Sequence, residues 1–166
     1  NGAWSGSRFA LDGLGSAIAL NDQGDVVAIG IPVVLHPDKP WFPQTTTPRP
    51  GSVEVYRRVE SNFTGFDRPL DDDDVVGPGY EQIGDAIVGP ANNDQFGWSV
   101  DLSADGNIVA IGSSNLCYVR IYELNQITDQ WEEQDPGDLV AVCDSIDASF
   151  GTSLALSASG TTLAVG

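Results

Sequence analysis

One seventeen-residue pattern occurs three times in this chain, and it limits the possible folds more than any other feature. Residues 96–112 read Phe-Gly-Trp-Ser-Val-Asp-Leu-Ser-Ala-Asp-Gly-Asn-Ile-Val-Ala-Ile-Gly. Residues 14–30 read Leu-Gly-Ser-Ala-Ile-Ala-Leu-Asn-Asp-Gln-Gly-Asp-Val-Val-Ala-Ile-Gly, and residues 150–166 read Phe-Gly-Thr-Ser-Leu-Ala-Leu-Ser-Ala-Ser-Gly-Thr-Thr-Leu-Ala-Val-Gly. Aligned without gaps, they share an opening glycine (Gly15, Gly97, Gly151), a leucine (Leu20, Leu102, Leu156) and a turn glycine (Gly24, Gly106, Gly160). A late alanine (Ala28, Ala110, Ala164) and a closing glycine (Gly30, Gly112, Gly166) complete the identical columns. An internal repeat takes precedence over any local motif.

Each copy reads as a tight β-hairpin. Val100 and Leu102 alternate with Ser99, Asp101 and Ser103, the two-residue period of a strand. Residues 104–107, Ala-Asp-Gly-Asn, are turn chemistry, because glycine accepts positive φ without strain and Asp and Asn tolerate it. A second β-rich run, residues 108–111, closes on Gly112.

The flanking segments extend each hairpin to a four-strand unit. Residues 51–59 and 118–123 alternate as third strands, and Trp4, Tyr80 and Trp131 each lead an outer strand followed by a loop. Residues 1–13 are then a trailing outer strand, and residues 14–95 a unit carrying a proline-rich insertion at 32–50. Residues 96–149 form a second unit and residues 150–166 the leading hairpin of a third. Six prolines within 32–50 exclude interior strand or helix and predict an extended surface loop. Trp41 and Phe42 inside it are candidate partner-binding residues, or else are pinned onto the domain.

Ten prolines, nineteen glycines and no long amphipathic period predict an all-β chain with many turns. No run is apolar enough to predict a membrane-spanning helix. With 24 acidic against 7 basic side chains, the surface repels nucleic acid and anionic lipid. Cys117 and Cys143 either form a disulfide, worth about 3–4 kcal/mol, or are buried thiols. Asn62-Phe63-Thr64 is a glycosylation acceptor pattern. Acidity, paired cysteines and the acceptor at Asn62 together predict an extracellular protein.

Phe96-Gly97 and Phe150-Gly151 at hairpin starts, Gly30-Ile31-Pro32 after the first hairpin, and the strands at 51–56 and 118–122 carry a family resemblance. The sequence resembles the FG-GAP class of β-propeller repeat, found in integrin α-subunit heads. The resemblance implies four-stranded antiparallel blades: about two full blades, with partial blades at both ends. It also implies a role in adhesion or scaffolding through protein or glycan contacts.

That family often holds calcium in an Asp-x-Asp-x-Asp-Gly hairpin loop, since a hard cation needs several oxygens from one turn. Here the second hairpin offers Asp101, Ser103 and Asp105, the first Asn21 and Gln23, and the third Ser157 and Ser159. No calcium site is therefore carried over. Asp101 and Asp105, with Asp73 and Asp74 from the run Asp71-Asp72-Asp73-Asp74, are the calcium candidates that the sequence offers, and the turns are expected to fold without metal or cofactor.

A propeller closes with at least about four blades, so these units predict a piece of a larger propeller, a chain completed by copies of itself, or an array capped by other subunits. The expected partners are other protein chains, with glycan as an alternative. The single histidine, His36, lies in the proline-rich loop, where no scaffold holds it beside a nucleophile. No metal-ligand spacing or phosphate-binding loop appears, and no carboxylate pair stands out for glycoside cleavage, so no enzyme activity is expected, with a hydrolase or lyase built on a propeller as the remaining alternative.

Overall fold

The structure, a computed structural model, describes residues 15–33, 49–59, 79–134, 139–140 and 150–166. Among these residues there are strands and turns and no helix. The first sheet is an antiparallel meander of β1 (Ala17–Leu20), β2 (Val26–Ile31) and β3 (Ser52–Val59). Its fourth position is shared by β4 (Gly79–Gln82) and β5 (Ile87–Val88), which pair with different lengths of β3. The second sheet repeats the plan with β6 (Phe96–Leu102), β7 (Ile108–Ser113) and β8 (Tyr118–Asn125). Here β9 (Gln130–Glu133) and β10 (Leu139–Val140) share the fourth position against β8. A hairpin of β11 (Leu154–Leu156) and β12 (Leu163–Val165) ends the described residues.

The three matched segments are therefore three antiparallel hairpins, and they share one register. Ile18 lies opposite Ile29, Val100 opposite Ile111, and Leu154 opposite Val165. The turn glycines Gly24, Gly106 and Gly160 have φ of 68°, 72° and 71°. That backbone region is strained for a side chain with a Cβ, so the shared glycine column is a conformational requirement.

Where the sequence suggests one outer strand beginning at Tyr80, the structure breaks it in two. Gly84, at φ 66°, turns the chain between β4 and β5. The break is fixed from the next sheet: the Trp131 indole N–H donates to the Ile83 carbonyl at 2.9 Å.

The first strand of the second sheet packs across β1 and β2, and β11 packs across β6 and β7. The core between the first two sheets holds Ala19, Val26, Ala28, Val53, Val55, Ile83 and Ile87 from one side. From the other come Leu102, Val109, Ile111, Tyr118, Tyr122 and Leu124. Phe96 is fully buried at its centre, with its ring centroid 6.1 Å from that of Tyr118 and 6.3 Å from that of Tyr122. The described strands form open sheets, without closure into a barrel or ring.

Candidate functional site

The same contacts join each hairpin to the next. The Asp22 N–H donates to the Ala104 carbonyl at 3.3 Å, and the Ala104 N–H donates to the Ala158 carbonyl at 2.9 Å. These three residues occupy one column of the aligned segments. A Cβ on Gly30 would run into the Gly97 carbonyl, and one on Gly112 into the Gly151 carbonyl. The turn glycines are pressed likewise: Gly106 lies against Val26, and Gly160 against Ile108. The closing glycines thus allow one backbone to lie on the next.

Stacking gives each sheet two unlike faces, because cross-strand partners share a face. In the first sheet, the face bearing Ala19, Ala28, Val53 and Val55 lies under the second sheet. The second sheet meets it with Val100, Leu102, Val109, Ile111, Tyr122 and Trp131. The matching positions in the first sheet are Ile18, Leu20, Val27, Ile29, Tyr56 and Tyr80. There, no sheet among the described residues covers them. Ile18, Leu20 and Tyr80 are 62%, 60% and 56% exposed, and Val27, Ile29, Tyr56 and Tyr80 line an apolar groove of about 350 Å³. This face is the candidate functional surface. Alternation along residues 51–59 puts Tyr56 on one face of its strand, but only the folded stack shows that face to be open.

The three turns are closed by their own polar groups. The Asn21 side-chain carbonyl accepts from the Val26 N–H at 3.0 Å, the Ser103 hydroxyl from the Ile108 N–H at 2.9 Å, and the Ser157 hydroxyl from the Thr162 N–H at 3.0 Å. Asp105 accepts from the Ser103 hydroxyl at 2.6 Å and from the Asn107 N–H at 3.1 Å. The Ser103 bond foremost, then the Asn107 N–H, holds its carboxyl below the usual aspartate value. Asp101 accepts from the Leu102 N–H at 2.9 Å and from the Leu156 N–H at 2.6 Å, tying the second sheet to the last hairpin. The structure therefore gives Asp101 and Asp105 separate structural partners. Among the described residues, no group of three or more His, Cys, Asp or Glu is placed to hold a metal ion.

Asp94 is a polar group that the sequence does not single out. It is fully buried, and its carboxylate accepts from the N–H groups of Gly51 at 3.0 Å, Phe96 at 3.0 Å and Ala91 at 3.3 Å, and from the Tyr118 hydroxyl at 2.8 Å. These four donors make it a pin between the residue that leads into β3 and the first residues of β6 and β8. Burial, then the bond to Asp94 and its charge, raises the Tyr118 phenol above its ordinary value. Arg120 lies over the Tyr118 ring at 5.5 Å and pairs with Glu133 at 3.2 Å.

Cys117 is fully buried at a positive φ of 52° and is disulfide-bonded. The chain's other cysteine, Cys143, lies outside the described residues, as do Asn62, Asp73, Asp74, Trp41, Phe42 and His36. Among the described residues no helix is long and apolar enough to cross a membrane. Compared with protein-family profiles, curated proteins and solved structures, the chain finds no match.

Proposed function

We propose that this chain is a structural and interaction module of FG-GAP-like propeller sheets, working outside the cell in adhesion or scaffolding and without catalytic activity. The recurrence of one sheet-to-sheet contact, Asp22 to Ala104 and Ala104 to Ala158, is the observation that supports the reading. A stack built this way is a rigid platform, and the face of Ile18, Leu20, Tyr56 and Tyr80 is its contact surface. Tyrosine rings beside aliphatic side chains suit protein or glycan partners: both rings offer an apolar body, and Tyr80 a polar tip, while the Tyr56 hydroxyl donates to Glu54 at 2.6 Å. The disulfide at Cys117 agrees with an oxidising compartment, and the net charge of −17 disfavours nucleic acid.

The test is binding without turnover. The folded chain is immobilised and exposed to neutral oligosaccharides and basic matrix proteins, then assayed on chromogenic glycosides, esters and phosphates. The reading predicts saturable binding to at least one probe, weakened by Tyr80→Ala, and no turnover above buffer. Turnover that follows the folded protein, or no binding to any probe, contradicts it.

A second reading, a self-assembling subunit of a fibre or surface layer, is favoured by the open apolar face itself. An exposed apolar patch of this kind marks an interaction surface.

A further inference from the structure

The open face of the first sheet has a complement in the last described hairpin of the same chain. In the β11–β12 hairpin, Leu154, Leu156, Leu163 and Val165 are half-buried toward the second sheet, while Ala155, Ala164 and Gly166 are exposed. Ala164 matches Ala28 and Ala110, which are 0% exposed because a following sheet covers them. Gly166 matches Gly30 and Gly112, each of which lies under the carbonyl of the next opening glycine. In the described stack, the open face of the first sheet therefore carries bulky aliphatic side chains, and the open face of the last hairpin carries small residues. Within the chain, the hairpin strands of these two kinds of face pack against each other at both sheet-to-sheet junctions, with Val53 and Val55 of the third strand adding to the covered face of the first sheet.

We propose that the exposed face of the first sheet docks the β11–β12 hairpin of a second copy of this chain, head to tail. The contact deepens the self-assembly reading and rests on it. It continues the interface that already joins the first sheet to the second and the second to the last hairpin. Ile18 and Leu20 of one copy sit on Ala155 and Ala164 of the other, as Val100 and Leu102 sit on the first sheet. The Gly15 carbonyl comes onto Gly166 of the second copy, as Gly97 comes onto Gly30. The turn-to-turn ladder runs on, with the Ala158 N–H of the second copy donating to the Asp22 carbonyl. The contact is heterologous, so each copy keeps one free end and the product grows with concentration. A net charge of −17 on each copy opposes it, so salt strengthens it by screening.

Sedimentation equilibrium of the oxidised chain at up to roughly millimolar concentration tests this, the range in which a hairpin-sized contact is populated. The parent is expected to at least double its weight-average mass over that range, at lower concentration in high salt than in low. Ile18→Lys and Ala164→Arg alter opposite ends at exposed positions, and circular dichroism and melting check that each variant is folded. Each alone is expected to stay monomeric. Their equimolar mixture is expected to form dimers and nothing larger, because each supplies the face the other retains. A parent that stays monomeric overturns the proposal. So does association that survives either substitution, or a mixture that fails to pair. A monomeric parent that still binds its oligosaccharide or matrix probes removes this contact and leaves the interaction module standing.

Discussion

The N–H of Ala104 donates to the carbonyl of Ala158 at 2.9 Å, across fifty-four residues of chain and from one hairpin turn to the next. The N–H of Asp22 makes the matching bond to Ala104 at 3.3 Å. A hydrogen bond that recurs at one sequence column, together with a recurring glycine contact, makes stacking a property of the repeated pattern. The consequences fall first on the glycines.

Gly30→Ala and Gly112→Ala put a methyl group against the carbonyls of Gly97 and Gly151, backbone atoms that cannot swing aside. Each is expected to cost about 1–3 kcal/mol, the range for overpacking a fitted site. Gly24→Asn is the control. Its φ of 68° is tolerated by asparagine, and no atom lies within 4 Å of a Cβ there, so its cost stays below about 1 kcal/mol. Urea unfolding of the three variants measures the ranking.

Asp94→Ala removes the acceptor for three backbone N–H groups and one hydroxyl, and leaves the Gly51 and Phe96 donors buried. A loss of about 3 kcal/mol or more is expected, since each unsatisfied buried donor costs about 1–3 kcal/mol. Asp94→Asn keeps the Gly51 and Phe96 bonds to its oxygen but sets an amide donor against Ala91. Its expected cost is smaller, about 1–3 kcal/mol. Denaturant midpoints at neutral pH distinguish the two.

The raised phenol of Tyr118 gives the fold an alkaline limit. A tyrosine whose folded pKa lies above its unfolded value keeps its full contribution below about pH 10 and loses it as pH rises toward the folded value. Stability of the parent therefore falls above about pH 10. Tyr118→Phe is less stable at neutral pH, having lost the bond to Asp94, but its alkaline decline is shallower. Melting temperatures from pH 7 to about 11 check the crossing slopes.

Cys117 sits at the entrance to β8, in a turn held at positive φ. Reduction of its disulfide is expected to lower the unfolding free energy by about 3–4 kcal/mol through the freed loop. Matched urea curves with and without reductant give the number directly.

The hairpins were legible because their determinants are local. Gly24, Gly106 and Gly160 announce positive φ, and Asn21, Ser103 and Ser157 lie five residues before the N–H they cap. The third strands were legible from alternation, and the starts of the outer strands from Tyr80 and Trp131, but not the break at Gly84 that divides the first of them. Long-range determinants left no such mark. The sequence shows Gly112 as small without showing that Gly151 presses on it, and shows Asp94 as one acidic residue among many. The donors that make Asp94 central come from Gly51 and Tyr118, each more than twenty residues away. The open face was hidden for the same reason, since Ile18 and Leu20 look like any core-facing pair until the stack is assembled. Asp101 and Asp105 stand near each other in sequence as a cation site would require, yet fold toward different partners.

Native-state amide hydrogen exchange, followed residue by residue by NMR in dilute protein, tests the stacking most directly. The N–H groups of Asp22 and Ala104 are predicted to be protected, and that of Ala158, which donates to no described residue, to exchange rapidly. Exchange at Asp22 and Ala104 as fast as at Ala158 would contradict it, because equivalent turns would then not be bonded from one sheet to the next.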